Sequence, residues 1–234
     1  MKNSLKLGLG VALSGSLLLV GCTSSKTNER IEALEKQVAA IEKKLSPARP
    51  QPPTQDKAYK LPVGNSPVLG KKNAPVNVVV FSDGQCPYCA GADQLLRDAV
   101  KDPELKAKVN VVFKNFPLSF HQDAKPAAKA ALAAKEQGEE KFWAMMDKVF
   151  ANQRSLTPAN FNKWAKEIGL NVTKFKEDVK KNDGKYEASI KADMELGTNS
   201  ANVRGTPSIY VGGWELRERS VQGIKNLIKE KNLI

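Results

Sequence analysis

Two cysteines three positions apart, at the junction of an apolar run and a helical segment, constrain this chain more than any other feature. Cys86 and Cys89 enclose Pro87 and Tyr88 and directly precede a helix-compatible segment, Ala90–Val100. Proline suits the first helical position, so Cys86 is predicted at the helix cap, with its sulfur facing unpaired backbone N–H groups. Those donors and the helix dipole favour the thiolate. The spacing therefore predicts that Cys86 is a nucleophile and that Cys89, one helical turn on, is the resolving thiol.

Two other roles for this pair are a structural disulfide and half of a metal site. A zinc site needs about four ligands, and the chain has three cysteines and one histidine. A bridge closing such a short loop removes little chain entropy from the unfolded state. We therefore expect no metal and no cofactor, apart from a redox-active disulfide between Cys86 and Cys89.

The N-terminus has the pattern of a bacterial export signal. Residues 1–6 carry two lysines, residues 7–20 are apolar with glycines and serines, and Leu19–Cys22 closes the segment. Such a stretch is short for a spanning helix. Leu19–Cys22 resembles a lipobox, which implies that residues 1–21 are removed and that Cys22 is diacylated; a signal peptide without lipidation is the alternative. Thr23 is not the aspartate associated with inner-membrane retention, so we expect the periplasmic side of an outer membrane, or the extracytoplasmic face of a single membrane.

The basic charge of the chain does not identify a partner. The formal net charge is +12, and removal of residues 1–21, which contain Lys2 and Lys6, leaves +10. The remaining lysines are scattered among glutamates, a pattern typical of a solvated surface rather than of a patch for anionic membranes or acidic clients. No nucleic-acid motif is present, so no nucleic-acid partner is expected.

Residues 22–46 are predicted to form a lipidated N-terminus and an amphipathic helix. Apolar residues recur within 27–45 at alternating steps of three and four: Ile31, Leu34, Val38, Ile41 and Leu45. This heptad pattern permits a coiled coil of two or three helices, but it covers barely more than two heptads. Confinement by a lipid anchor would favour association. A homo-oligomer through residues 27–45 is slightly favoured over a monomeric spacer helix.

The remaining chain predicts a linker followed by one α/β domain. Residues 47–58 are proline-rich and predict an extended linker. The domain, residues 59–234, opens with a loop-rich segment to Pro75. Strand, helix and a second β-branched run, Lys108–Lys114, predict a parallel βαβ unit. Helical patterns then fill about 121–200, before a strand at Ser208–Val211 and a final helix, Val221–Lys231.

One downstream motif, taken together with the cysteine pair, resembles a known family. Val203–Ser208 reads VRGTPS and lies beyond the helical block, and Asn115–Leu118 reads NFPL after the second strand. As a set, these residues resemble the DsbA-like branch of the thioredoxin-fold oxidoreductases. The resemblance implies a thioredoxin fold with an inserted helical domain. It also implies that Pro207 is cis, that the Thr206–Pro207 loop faces Cys86, and that Thr206 backbone groups pair with an extended client peptide.

The chain departs from that family at the position of a buried acid. Thioredoxins and DsbA carry the acid six residues before the first cysteine, where this chain has Val80. The proton relay for Cys89 is therefore open between Asp83, a lysine and water, and Asp83 itself is predicted to cap the helix start. His121, the single histidine, is predicted to cap or pack, since nothing in the sequence brings it near Cys86; electrostatic tuning of the Cys86 thiolate is the alternative role.

The sequence thus predicts a lipid-anchored thiol:disulfide oxidoreductase of the bacterial envelope. Its expected partners are exported proteins with cysteines and a membrane redox partner. A monomer suits an oxidase, whereas an oligomer with several sites around a shared space suits an isomerase or reductase. The alternative function is a lipoprotein tether or chaperone-like binding module that keeps the thioredoxin fold without redox turnover.

Overall fold

The computed structural model describes residues 29–38, 55 and 57–234. The chain divides into two compact units, residues 1–54 and 55–234. In the first unit the described residues form a helix, α1 (29–38). The predicted signal segment, Cys22, the later heptad positions and most of the proline-rich linker lie outside the described residues. No helix in the described parts of the chain is long and apolar enough to cross a membrane.

A five-stranded mixed sheet forms the centre of the second unit. Its strands are β1 (Val68–Gly70), β2 (Val76–Ser82), β3 (Val109–Asn115), β4 (Ser208–Val211) and β5 (Trp214–Glu215). The spatial order is β1-β3-β2-β4-β5. β2 and β3 are parallel, and every other neighbouring pair is antiparallel. The predicted parallel βαβ unit is therefore present, with β2 in the centre of the sheet.

Seven α-helices of the second unit connect and cover these strands. They are α2 (Pro87–Lys101), α3 (Ala124–Lys135), α4 (Glu139–Ala151), α5 (Pro158–Glu167), α6 (Val172–Lys181), α7 (Asp183–Glu195) and α8 (Val221–Glu230). A short π-helical turn, Leu196–Ser200, follows α7. The whole segment between β3 and β4 is thus rich in helices, from Ala124 to Ser200.

The sheet is buried on both faces, which explains the continuous β-branched runs of its two central strands. On one face, alternate residues of β2 and β3 such as Val80 and Phe113 pack with α2 and the helical segment. On the other face, Phe81 packs edge-on against Phe116 and Tyr210. This rigid base fixes the carboxyl end of β2, where the cysteine motif begins.

Two edge strands differ from the sequence prediction. β1 lies within the segment expected to be a loop, and β5 follows Gly212 and Gly213, where no strand is predicted. They contain three and two residues, too few for an alternating pattern to be visible. Their pairing with β3 and β4 comes from the sheet edges rather than from local propensity.

Candidate active site

The cysteine pair lies at the turn from β2 into α2. Cys86 is the N-cap residue of α2, and Pro87 begins the helix, as the sequence predicts. Both cysteines are free thiols, 4% and 0% exposed for Cys86 and Cys89. The backbone carbonyl of Cys86 accepts a hydrogen bond from the Cys89 N–H at 3.0 Å. The first turn of α2 thus holds Cys89 close to Cys86 and more deeply buried.

The Cys86 sulfur contacts the loop before β4 rather than capping its own helix. It makes no capping hydrogen bond; its Sγ lies 3.4 Å from the carbonyl oxygen of Thr206. The Thr206–Pro207 peptide bond is cis. Arg219 donates from Nη2 to the Pro207 carbonyl at 3.0 Å and so fixes the far side of this loop. The structure therefore brings Cys86, Thr206 and Pro207 together across 120 residues of chain.

Cys89 is in an environment that keeps it protonated. Burial raises the pKa of the Cys89 thiol to about 12, although hydrogen bonds from the Ser82 hydroxyl and the Asp83 N–H favour the thiolate. The Asp83 N–H lies 3.5 Å from the sulfur. Val80, at the position where the family resemblance leads us to expect an acid, packs in the apolar core. Among the described residues, hydroxyl and backbone groups therefore surround this sulfur in place of a carboxylate.

Asp83 binds the backbone just before the helix. Its Oδ1 accepts from the N–H groups of Gln85 at 2.7 Å and Cys86 at 3.2 Å. Its Oδ2 accepts from the Leu118 N–H and from Nδ1 of His121, both at 2.8 Å. The carboxylate thus caps the turn before α2, and it connects that turn to the loop after β3.

Gln153, at the turn after α4, is a site residue that the sequence did not reveal. Its Nε2 donates to the Cys86 carbonyl at 2.7 Å and to the Gly84 carbonyl at 3.1 Å. One amide of the helical segment therefore spans the active-site turn. No sequence signal could have found it, because 67 residues separate it from Cys86 and its neighbours form no motif.

Two aromatic side chains stand out at the surface near these residues. Tyr88, inside the cysteine motif, is 76% exposed, and Phe120, next to His121, is 73% exposed. The ring of Phe120 packs edge-on against the His121 ring, 4.6 Å between centroids. Within the described parts of the chain, no cluster of His, Cys, Asp or Glu side chains could hold a metal ion.

The chain is similar to known proteins over most of its second unit. A family model described as thioredoxin matches residues 63–230. The chain is 32% identical over 157 residues to a probable disulfide bond formation protein D of Bacillus cereus, covering 62% of this chain and 69% of that protein. It is 35% identical over 147 residues to Na(+)/H(+) antiporter NhaA 3 of Salinispora tropica; that match covers 62% of this chain but only 21% of the antiporter.

The solved structures include a similar protein of known fold. The crystal structure of oxidised BdbD from Bacillus subtilis matches with a TM-score of 0.65 and 28% identity, over 75% of this chain and 97% of that one. This match and the family model agree on the thioredoxin fold, with the segment from Ala124 to Ser200 inserted between its halves. The chain therefore belongs to the thioredoxin family, in its DsbA-like branch of thiol:disulfide oxidoreductases.

Proposed function

We propose that the protein is an extracytoplasmic thiol:disulfide oxidoreductase that exchanges disulfides with exported proteins through Cys86 and Cys89. One observation carries the proposal: the sulfur of Cys86 lies at the N-terminus of α2 and 3.4 Å from the Thr206 carbonyl. A helix N-terminus stabilises a thiolate. The Thr206 carbonyl beside that sulfur can accept a hydrogen bond from a backbone N–H of a client.

In the oxidising direction, the two cysteines start as a disulfide. A client thiolate attacks Sγ of Cys86, and Cys89 leaves as a thiolate that takes up a proton. A second client thiolate then attacks the client sulfur of the mixed disulfide and releases the Cys86 thiolate. The client gains a disulfide, and the protein gains two electrons and is reduced. Because burial raises the pKa of Cys89 to about 12, the departing thiolate is captured as a thiol.

The reverse direction uses the same groups in the opposite order. The Cys86 thiolate attacks a client disulfide and displaces one client thiolate. Cys89 gives up its proton and attacks Sγ of Cys86, which releases the second client sulfur. Isomerisation needs the first of these steps alone, followed by attack from another client thiol. Net reduction needs an external dithiol donor, and net oxidation needs a membrane partner that reoxidises Cys86 and Cys89.

The Thr206–Pro207 loop is proposed to hold the client while these steps occur. An extended client peptide would pair with the Thr206 backbone, in the manner of strand addition. Two contacts support this role: the Thr206 carbonyl already lies beside the Cys86 sulfur, and Arg219 anchors the Pro207 carbonyl. The loop therefore has one side fixed to the fold and the other side turned toward the reacting sulfur.

The proposed location is the bacterial envelope, with a lipid on Cys22. The lipobox-like sequence Leu19–Cys22 supports the anchor, and the similar Bacillus protein is named for disulfide bond formation. Exported proteins with cysteines would be the clients. Labelling with radioactive palmitate would test the anchor, because a Cys22→Ala form should lose the label entirely.

We also propose that α1 joins copies of the chain. The apolar side chains of Ile31, Leu34 and Val38 are half exposed or more on this helix. A self-associating seam would bury them. The solution mass of the chain without residues 1–21, compared with a form that also lacks residues 27–45, tests this: an oligomer that becomes a monomer supports the seam, and two monomers contradict it.

The central experiment is equilibration with reduced and oxidised glutathione, read by mass after acid quenching, with Cys22→Ser in every form. Formation of the Cys86–Cys89 disulfide with loss of two hydrogens supports the proposal. Insulin reduction and refolding of scrambled ribonuclease then separate an oxidase from an isomerase. A protein that shows no exchange in any of these assays would instead be a tether or chaperone-like binding module.

A further inference from the structure

A buried carboxylate lies directly behind the nucleophile. The Asp83 side chain is fully buried, and its two oxygens accept four hydrogen bonds. Three of the donors are backbone N–H groups, on Gln85, Cys86 and Leu118. The fourth is Nδ1 of His121, which comes from the loop after β3, 38 residues along the chain.

The contact with Asp83 determines which nitrogen of His121 carries the proton. Both oxygens of an ionised carboxylate only accept, so Nδ1 must be the donor at 2.8 Å. The ring of Phe120 packs against the histidine ring and limits its rotation. The histidine is itself mostly buried, with 19% of its side chain exposed. A polar side chain in such a place is held by its partner rather than by solvent.

A negative charge on Asp83 disfavours the thiolate form of Cys86. The Cys86 N–H is shared between Asp83 O at 3.1 Å and Asp83 Oδ1 at 3.2 Å. A buried negative charge so close to Cys86 repels a second negative charge on its sulfur. A hydrogen bond from a ring N–H withdraws charge toward the far oxygen of the carboxylate and holds that carboxylate in place. The same bond therefore lessens the repulsion and fixes the turn that carries the sulfur.

We propose that His121 is a positioning residue for Cys86, which acts by donating its Nδ1–H to Asp83. Through this bond it orients the Asp83 carboxylate under the active-site turn and offsets its charge, so that the Cys86 thiolate is more stable. The inference rests on the proposed disulfide exchange at Cys86. It adds a residue outside the cysteine-bearing turn to the groups that determine how readily the pair is reduced.

Two substitutions separate the donor from the bulk of the ring. His121→Asn retains an N–H donor near the place of Nδ1, whereas His121→Phe retains the ring and its contact with Phe120 but has no donor. In the phenylalanine form Asp83 still receives the three backbone N–H groups. Asp123→Ala is the control, because it removes an exposed bond between the same two loops, from Gln85 Nε2 to Asp123 Oδ2.

The measurements are the equilibrium constant with glutathione and the rate of Cys86 alkylation by iodoacetamide at pH 7, in full-length protein with Cys22→Ser. His121→Phe should slow alkylation by about threefold to tenfold and shift the equilibrium toward the Cys86–Cys89 disulfide by a similar factor, as expected for a lost charge-offsetting bond. His121→Asn and Asp123→Ala should both stay within about twofold of the unsubstituted protein.

Two results would overturn the inference. One is a His121→Phe form with unchanged alkylation and equilibrium, even if its melting temperature falls, because that outcome describes a packing role. The other is an asparagine form as impaired as the phenylalanine form. Should His121→Phe fail to fold, His121→Ala carries the same expectation. Absence of any exchange in the unsubstituted protein would instead refute the proposed function, so the two failures are distinguishable.

Discussion

The amide of Gln153 allows a sharp test of how the helical segment supports the reactive turn. Gln153→Ala removes two hydrogen bonds, at 2.7 and 3.1 Å, to the carbonyls of Cys86 and Gly84. Each is partly buried and contributes a net ~0.5–1.5 kcal/mol, so the variant should lose about 2 kcal/mol. For a domain of this size, that loss lowers the melting temperature by roughly 4–8 °C. The Cys86 carbonyl keeps its bond from the Cys89 N–H, so α2 should still begin at Pro87.

The reaction rate should fall as well, because the turn that carries the sulfur is less firmly held. We expect the reaction of Cys86 with oxidised glutathione to be about threefold to tenfold slower. Gln137→Ala is a matched control: Gln137 also makes two amide bonds to backbone, with the carbonyl and N–H of Asn171 at 3.1 and 2.9 Å, away from the cysteines. Gln137→Ala should lose less stability than Gln153→Ala, because its bonds are exposed. The rate at which Cys86 reacts with oxidised glutathione should not change in this control.

Stopped-flow mixing with oxidised glutathione, followed by mass measurement, gives the rate, and urea unfolding gives the free energy. Equal rates in Gln153→Ala and the unsubstituted protein would refute the argument that this amide positions the turn. Equal slowing in both glutamine variants would refute it too, because the effect would then come from general loosening of the helical segment.

Three further predictions concern groups around the sheet. Burial raises the pKa of Asp193 above its ordinary 3.8 despite an ion pair with lysine. The stability that this shift contributes is therefore complete below pH 3.8 and is lost as the pH rises through the raised pKa. Urea unfolding at several pH values should show that the free energy of unfolding falls over this range relative to Asp193→Asn, and a rise relative to that variant would contradict the prediction. Arg219→Ala removes the bond to the Pro207 carbonyl and should raise KM for insulin about threefold or more while leaving Cys86 alkylation unchanged; equal KM values would count against a client role for that loop. A methyl on Gly197 would lie 2.8 Å from a ring carbon of Phe116, so Gly197→Ala should cost about 1–3 kcal/mol in urea unfolding, and an unchanged midpoint would show that the ring moves freely.

Much of the fold was predictable because its signals are local. The β-branched runs that became β2 and β3, and the proline after Cys86 that begins α2, each act within a few residues. The capping of the turn by Asp83 was predictable, but the bonds from Asp83 to His121 and from Gln153 to Cys86 were not, because they join residues 38 and 67 positions apart. A lone histidine or glutamine has no periodicity, so its partner appears only when the chain is folded.

The surroundings of Cys89 also could not be predicted from the sequence. The sequence located Val80 at the expected acidic position but left the proton relay of Cys89 open. In the folded chain, Val80 is part of the core, and the Ser82 hydroxyl and the Asp83 N–H face the sulfur. Alternation along β2 could have turned Ser82 toward α2, but only the packing of Cys89 against that face reveals the contact.

Trapping of a mixed disulfide is the most direct test of the claim that Cys86 is the nucleophile. With Cys22→Ser and Cys89→Ala, the thiolate of Cys86 can attack a disulfide of insulin but cannot be released by its neighbour. We expect a covalent adduct whose mass equals the protein plus intact insulin, because one attack leaves the two insulin chains joined by their second interchain disulfide, with the new bond mapped to Cys86 by peptide mass spectrometry. No adduct, or an equal yield when Cys86 is also replaced by alanine, would contradict it.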